Sequence, residues 1–140
     1  HDVALLKIKT KERLVPVSWK KSNRPLSPGT LLATPCGFDQ LPIAIGILSR
    51  VPHSLPHRSE IPHSDGQHEP PGVSTQRAGF PHVFDHDSIV PPHLCGGPVV
   101  DVTGAVVGIN IARASRTSTL AIPVSAAQPL LERLLSETHN

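Results

Sequence analysis

An all-β barrel followed by a single C-terminal helix is the fold class this sequence predicts. Three observations carry the expectation. Short apolar and β-branched runs recur along the chain, each bounded by Gly or Pro. An amphipathic helical stripe occurs only at the C-terminal end. Between them lies a proline-rich stretch that no helix could contain.

The elements follow in order. Val3 to Ile8 reads as a buried strand, and a polar linker runs from Lys9 to Ser27, broken by Pro16 and Pro25 and carrying the only tryptophan, Trp19. Pro28-Gly29 gives a turn ahead of a strand over Thr30 to Thr34. Pro42 to Arg50 reads as another strand, with Gly46 marking a bulge or a close approach of two backbones. From Val51 to His93 the character changes, for half of the 16 prolines and seven of the nine histidines fall there. A long mobile loop is expected from about residue 51 to 79, with ordered chain resuming near Phe80. Pro98 to Val102 and Ala105 to Ala112 make a hairpin, with Gly104 where a positive φ is needed. Thr119 to Pro123 is a further short strand. Ser125 then caps a helix in a capping-box arrangement with Gln128, Pro129 falls in its first turn, and Leu130, Leu131, Leu134 and Leu135 form its apolar stripe.

Bulk composition narrows the function classes. At 140 residues, 38% hydrophobic and 17% charged, the chain is one small globular domain or part of one. It opens at His1-Asp2 without methionine or apolar leader, which reads as an excerpt of a longer protein. No apolar run is long enough for a membrane helix. The net charge of +2 is dispersed, and Lys7, Lys9, Lys11, Arg13, Lys20, Lys21 and Arg24 read as a solvated face rather than a nucleic-acid surface. Two cysteines, Cys36 and Cys95, make no disulfide framework and leave the compartment unreadable. Pairs such as His53 with His57 and His82 with His86, beside Asp85 and Asp87, have metal-ligating chemistry. Spacings of four converge only on a helix, which the prolines oppose, so the reading is an exposed polar loop, with no metal and no cofactor. A loop that charges between about pH 7 and 6 is the other use of so many imidazoles.

The stretch richest in chemistry is Cys95-Gly96-Gly97-Pro98. A thiol followed by two glycines lets a substrate approach closely and lets amides converge on one point, because glycine has no Cβ in the way. This stretch resembles the nucleophile region of HtrA-like, trypsin-fold peptidases, which reads Ser-Gly-Gly-Pro, with cysteine in place of serine. Other segments resemble the family in the same order. They are Asp2-Val3-Ala4-Leu5-Leu6-Lys7-Ile8, Leu26-Ser27-Pro28-Gly29, Pro35-Cys36-Gly37-Phe38, Ile45-Gly46-Ile47-Leu48-Ser49, His86-Asp87-Ser88-Ile89, Gly108-Ile109-Asn110 and Leu120-Ala121-Ile122-Pro123.

The resemblance implies a chymotrypsin-type architecture. Residues 1–24 would be the last strand of a first barrel and the inter-barrel linker, 25–124 the second barrel, and 125–140 the terminal helix. It implies an endopeptidase with Cys95 as nucleophile, Asp2 orienting a general-base histidine that lies outside this chain, and an oxyanion hole from His93, Cys95 and Gly96. His93 stands where the family has glycine, which favours a weakened or non-catalytic, peptide-binding relative as the alternative. Ile89 would form the base of an aliphatic specificity pocket, or else pack in the core. Asn110, Ile111, Ala112 and Arg113 would belong to an edge strand that pairs with bound peptide. Polypeptide substrates, a PDZ-type domain after the helix and a cell-envelope or secreted location are implied by resemblance alone, with homo-oligomerisation left open.

Overall fold

The computed structural model describes residues 3–21, 26–35, 44–56 and 71–137. Six strands, β1 (Leu31–Thr34), β2 (Ala44–His53), β3 (Val83–His86), β4 (Pro98–Asp101), β5 (Val106–Arg113) and β6 (Thr119–Pro123), precede one helix, α1 (Val124–Glu137). The strands close into an antiparallel barrel in the order β1-β2-β3-β6-β5-β4. This is the all-β barrel with a C-terminal helix that the sequence predicts, in the form of a trypsin-like barrel. Closure rests on two residue pairs between β1 and β4, Leu32 with Asp101 and Ala33 with Val100.

Strand alternation puts Leu32, Leu48, Phe84, Val99, Val107 and Ala121 into one buried cluster, with Leu26 packed against it. Each large aliphatic or aromatic group removed from water there contributes about 1.5–3 kcal/mol. Phe84 pairs with Ala121 and fills the space beside Gly108, where a Cβ would lie 2.7 Å from its ring. Val83, one residue away, faces the opposite side and joins Phe80, Ala112 and Leu120 in a second cluster, flanked by Leu55 and Ile111. Gly46 is a point of close approach. A Cβ there would run into the Asp87 carboxylate and lie 2.6 Å from the Ser88 amide nitrogen. The Asp87 carboxylate in turn accepts a 2.6 Å bond from the Ile47 amide, fixing β2 to the chain after β3.

Several sequence expectations need correction. Val3 to Ile8 forms no strand, and Leu6 and Ile8 are exposed. A strand needs a partner, and the six strands among the described residues pair with one another. β3 lies where ordered chain but no strand was expected, and Asp85 and His86 are buried in it rather than solvated in an exposed polar loop. The helix begins at Val124, one residue before the expected cap Ser125, and Pro129 is its sixth residue, beyond the first turn. A short 3-10 turn, Pro92–Leu94, was not foreseen. Of the loop read over 51–79, residues 57–70 lie outside the described residues, as does Cys36, and β2 runs on to His53, past the expected start of the loop. Its base is closed by bonds from Leu55 to Phe80 and from Gly79 to Pro56, of 2.8 and 3.0 Å.

Asp101 ties the linker to the point of closure. Its carboxylate accepts from the Lys20 ammonium at 2.8 Å, from the Thr103 hydroxyl at 2.6 Å and from the Thr103 amide at 2.9 Å. Lys20 is held there by main-chain bonds on either side of Trp19, Lys20 N–H to Val106 and Val106 N–H to Ser18, both 2.8 Å. Burial pushes the Asp101 carboxyl up, but Lys20 and Thr103 outweigh it and bring its pKa down to about 2. An unfolded aspartate titrates near ~3.9, so this stabilisation is complete above that pH and is lost as pH falls toward 2. Asp101→Asn should lose about 1–3 kcal/mol at pH 7 and flatten the acid limb of urea-unfolding curves recorded between pH 5 and 2.

Candidate active site

Cys95 follows the 3-10 turn, which the consecutive prolines Pro91 and Pro92 initiate by fixing φ. It is half-buried and lines a cleft of about 430 Å³ with Gly96, Ile109, Asn110 and Ile111 of β5, Leu131 of α1, and Val3, Ala4 and Leu6. The lining is mostly apolar. Asp2 lies outside the described residues, but its chain neighbours Val3 and Ala4 share this cleft with Cys95. Cys95 and the chain at Val3, Ala4 and Leu6 therefore meet at one cleft.

The thiol itself is not activated by its described surroundings. Burial pushes the Cys95 pKa up, while hydrogen bonds from the Ser74 side chain and the Arg113 backbone pull it down without reversing the shift. Backbone amides expected to hold an oxyanion are also engaged. Cys95 N–H donates to Pro92 at 3.2 Å and Gly96 N–H donates to Asn110 at 2.7 Å. His93 is exposed, and Gly96 takes the positive φ of 99° for which glycine is suited.

The expected substrate residues divide. Ile111 lines the cleft, and Arg113 touches Cys95 through its backbone. Asn110 also lines it, although Asn110 and Ala112 are both fully buried. Ile89 is 58% exposed, so it is not core packing. β5 is not an edge strand over Val106–Asn110, since β4 and β6 flank it. Its β4 ladder ends at Ile109, and a register shift between Asn110 and Ala112 carries the strand on alone to Arg113 on that side. There the Arg113 N–H donates to the Ser74 hydroxyl and the Arg113 carbonyl accepts from the Ser74 N–H, both at 2.8 Å.

Sequence reasoning missed Ser74 and also the buried network behind the cleft. Asn110 is its centre. Its backbone accepts from Gly96 and donates to Gly97 at 2.9 Å, while its side chain accepts from His86 Nε2 at 2.8 Å and donates to the Thr34 hydroxyl at 3.0 Å. His86 is fully buried, and its Nδ1 has no hydrogen-bond partner among the described residues. Burial pushes the His86 pKa down, and the bond to Asn110 and the nearby Asp87 and Asp85 carboxylates offset this only in part. The signal available in the sequence was a lone polar residue, Asn110, inside the otherwise apolar run from Val106 to Ala112. Among the described residues no three His, Cys, Asp or Glu side chains group as a metal site, and no helix is long and apolar enough to cross a membrane.

No protein-family profile matches the chain. Over 141 aligned residues it is 30% identical to the Synechocystis sp. protein named "Putative serine protease HhoB", covering 97% of this chain and 29% of that protein. The chain thus spans less than a third of the relative's length.

The neutral, buried His86 gives a pH signature. The unfolded histidine takes up a proton near pH 6.5 and the folded one resists, so stability is complete above that value and declines as pH falls below it. The thermal midpoint should drop between pH 8 and 5. In His86→Gln, whose amide can still meet Asn110, that drop should shrink.

Proposed function

We propose that this chain is the nucleophile-bearing part of a trypsin-like endopeptidase that takes an extended polypeptide into the cleft beside β5. The single observation that carries the reading is the convergence of Cys95, the β5 residues Ile109 to Ile111 and the segment following Asp2 on one apolar cleft. The likeness to a protein named as a serine protease supports the reaction class. In this reading residues 1–24 complete a first barrel and its linker, 25–124 are the second barrel, and 125–140 the terminal helix.

The chemistry follows from the residues. A histidine outside this chain, oriented by Asp2, removes the Cys95 proton, and Sγ adds to the scissile carbonyl carbon. The C–N bond breaks as the histidine returns the proton to the leaving amine. A thioester remains, and water activated by the same base hydrolyses it. A thiol suits a site with little built-in activation because it ionises more readily than serine. The oxyanion is held by the His93, Cys95 and Gly96 amides once Pro92–Gly96 turns away from the Pro92 and Asn110 carbonyls. Ile109, Ile111 and Leu131 give the cleft an aliphatic preference.

The two engaged amides favour a second reading, in which the chain binds peptide through the same cleft without turning it over. A peptide chloromethyl ketone with an aliphatic terminal residue separates them in the full-length protein. The peptidase reading expects alkylation at Cys95 and an at least ~100-fold loss of peptide hydrolysis in Cys95→Ala. Saturable peptide binding with neither labelling nor hydrolysis would leave the binding module.

A further inference from the structure

The returning limb of the proline- and histidine-rich loop lies across the site. From Pro71 it passes Gly72, whose φ of 80° turns it toward Arg113, and reaches Ser74. Ser74 offers Arg113 one donor, its N–H, and one acceptor, its hydroxyl, both at 2.8 Å. That is the reciprocal exchange a strand residue makes with its partner in an antiparallel ladder, with a side-chain oxygen standing in for the carbonyl. The Ser74 carbonyl is held separately by the Arg77 guanidinium at 3.3 Å.

The position of this exchange matters. Along the β4 side of β5, Pro98 and Gly97 occupy the rail as far as Asn110. Arg113 is the following place where β5 presents both backbone groups outward, and it is the place an incoming extended peptide would use. The Ser74 side chain also acts on the Cys95 thiol, pulling its pKa down. A single residue thus fills the first free rung of the peptide rail beside the nucleophile. Phe80 in the second apolar cluster and the Leu55–Phe80 and Gly79–Pro56 bonds anchor the base of the same limb.

We propose that residues 71–77 are a self-inhibitory strap, with Ser74 occupying the peptide rung at Arg113 and shielding Cys95, so that substrate binds only when the strap is displaced. The proposal rests on the reading of this cleft as a peptide site. Displacement is local, because it breaks the Ser74 rung and leaves the barrel ladder intact. Ligand affinity is then lowered by the fraction of chains in which the strap is open.

Thiol reactivity tests the strap without calling on catalysis. In the full-length protein, iodoacetamide labelling of Cys95 is followed by mass spectrometry across pH, with Cys36 as comparator, and rates are compared for the fully ionised thiol, because losing the Ser74 bond also shifts its pKa. Ser74→Pro removes both donor and hydroxyl and should speed Cys95 labelling by about tenfold, the factor expected for two lost hydrogen bonds, with Ser74→Ala in between. Ser74→Cys supplies a second measurement in a chain that keeps its backbone bond. Under glutathione disulfide the new thiol and Cys95 should lose two hydrogens to the oxidant and join as an intramolecular disulfide. Unchanged Cys95 labelling within twofold in Ser74→Pro, or no such disulfide in Ser74→Cys, overturns the strap. Faster labelling without hydrolysis of any peptide would uphold the strap and count against the peptidase reading alone.

Discussion

Two residue pairs, Leu32 with Asp101 and Ala33 with Val100, join the first strand of the barrel to the fourth and turn a sheet into a closed surface. Everything else in the molecule follows from that closure. A closed antiparallel barrel has no free edge, so each backbone group not taken by a strand must find another partner. At one end of the seam Asp101 does this for the turn after β4 and for the linker through Lys20. At the other end Asn110 does it for Gly96 and Gly97, and so fixes where Cys95 stands. The site is an outgrowth of barrel closure rather than a separate construction.

Asn110 couples the interior to the cleft. Its side chain joins His86 and Thr34 within the barrel, and its backbone holds the glycines beside the nucleophile. Buried polar groups of this kind are tolerated only when paired, and they then impose one arrangement rather than several. The cleft they position is apolar, and a raised thiol pKa is the electrostatic result. A nucleophile set in such surroundings needs a base to ionise it, and none is supplied by the described residues around Cys95. The proposed chemistry therefore makes a definite demand on sequence beyond these residues.

Much of the fold was legible because barrel strands carry local signals. Thr119–Pro123 was read to the residue, and the strands at 31–34, 44–53, 98–101 and 106–113 within a few positions. Val83–His86 was missed because its four residues are all buried, which erases the alternation that marks a half-exposed strand. Val3 to Ile8 has strand composition, but composition supplies no partner. At the site, Cys95 and its glycines were visible as a motif, and the resemblance singled out Ile111 and Arg113. Ile89 was misplaced in its core-packing reading, since exposure depends on which way a loop turns. Ser74 was invisible, because a serine in a loop gives no sign of the strand it will pair with across 39 positions.

The most direct measurement of the central claim is the pH dependence of iodoacetamide alkylation at Cys95 in the full-length protein, with Cys36 as internal reference. The account predicts a Cys95 titration midpoint below the free-thiol value of about 8.5, because a base from beyond these residues must overcome the upward push of burial. A Cys95 that reacts no faster than Cys36, and only at alkaline pH, would contradict it.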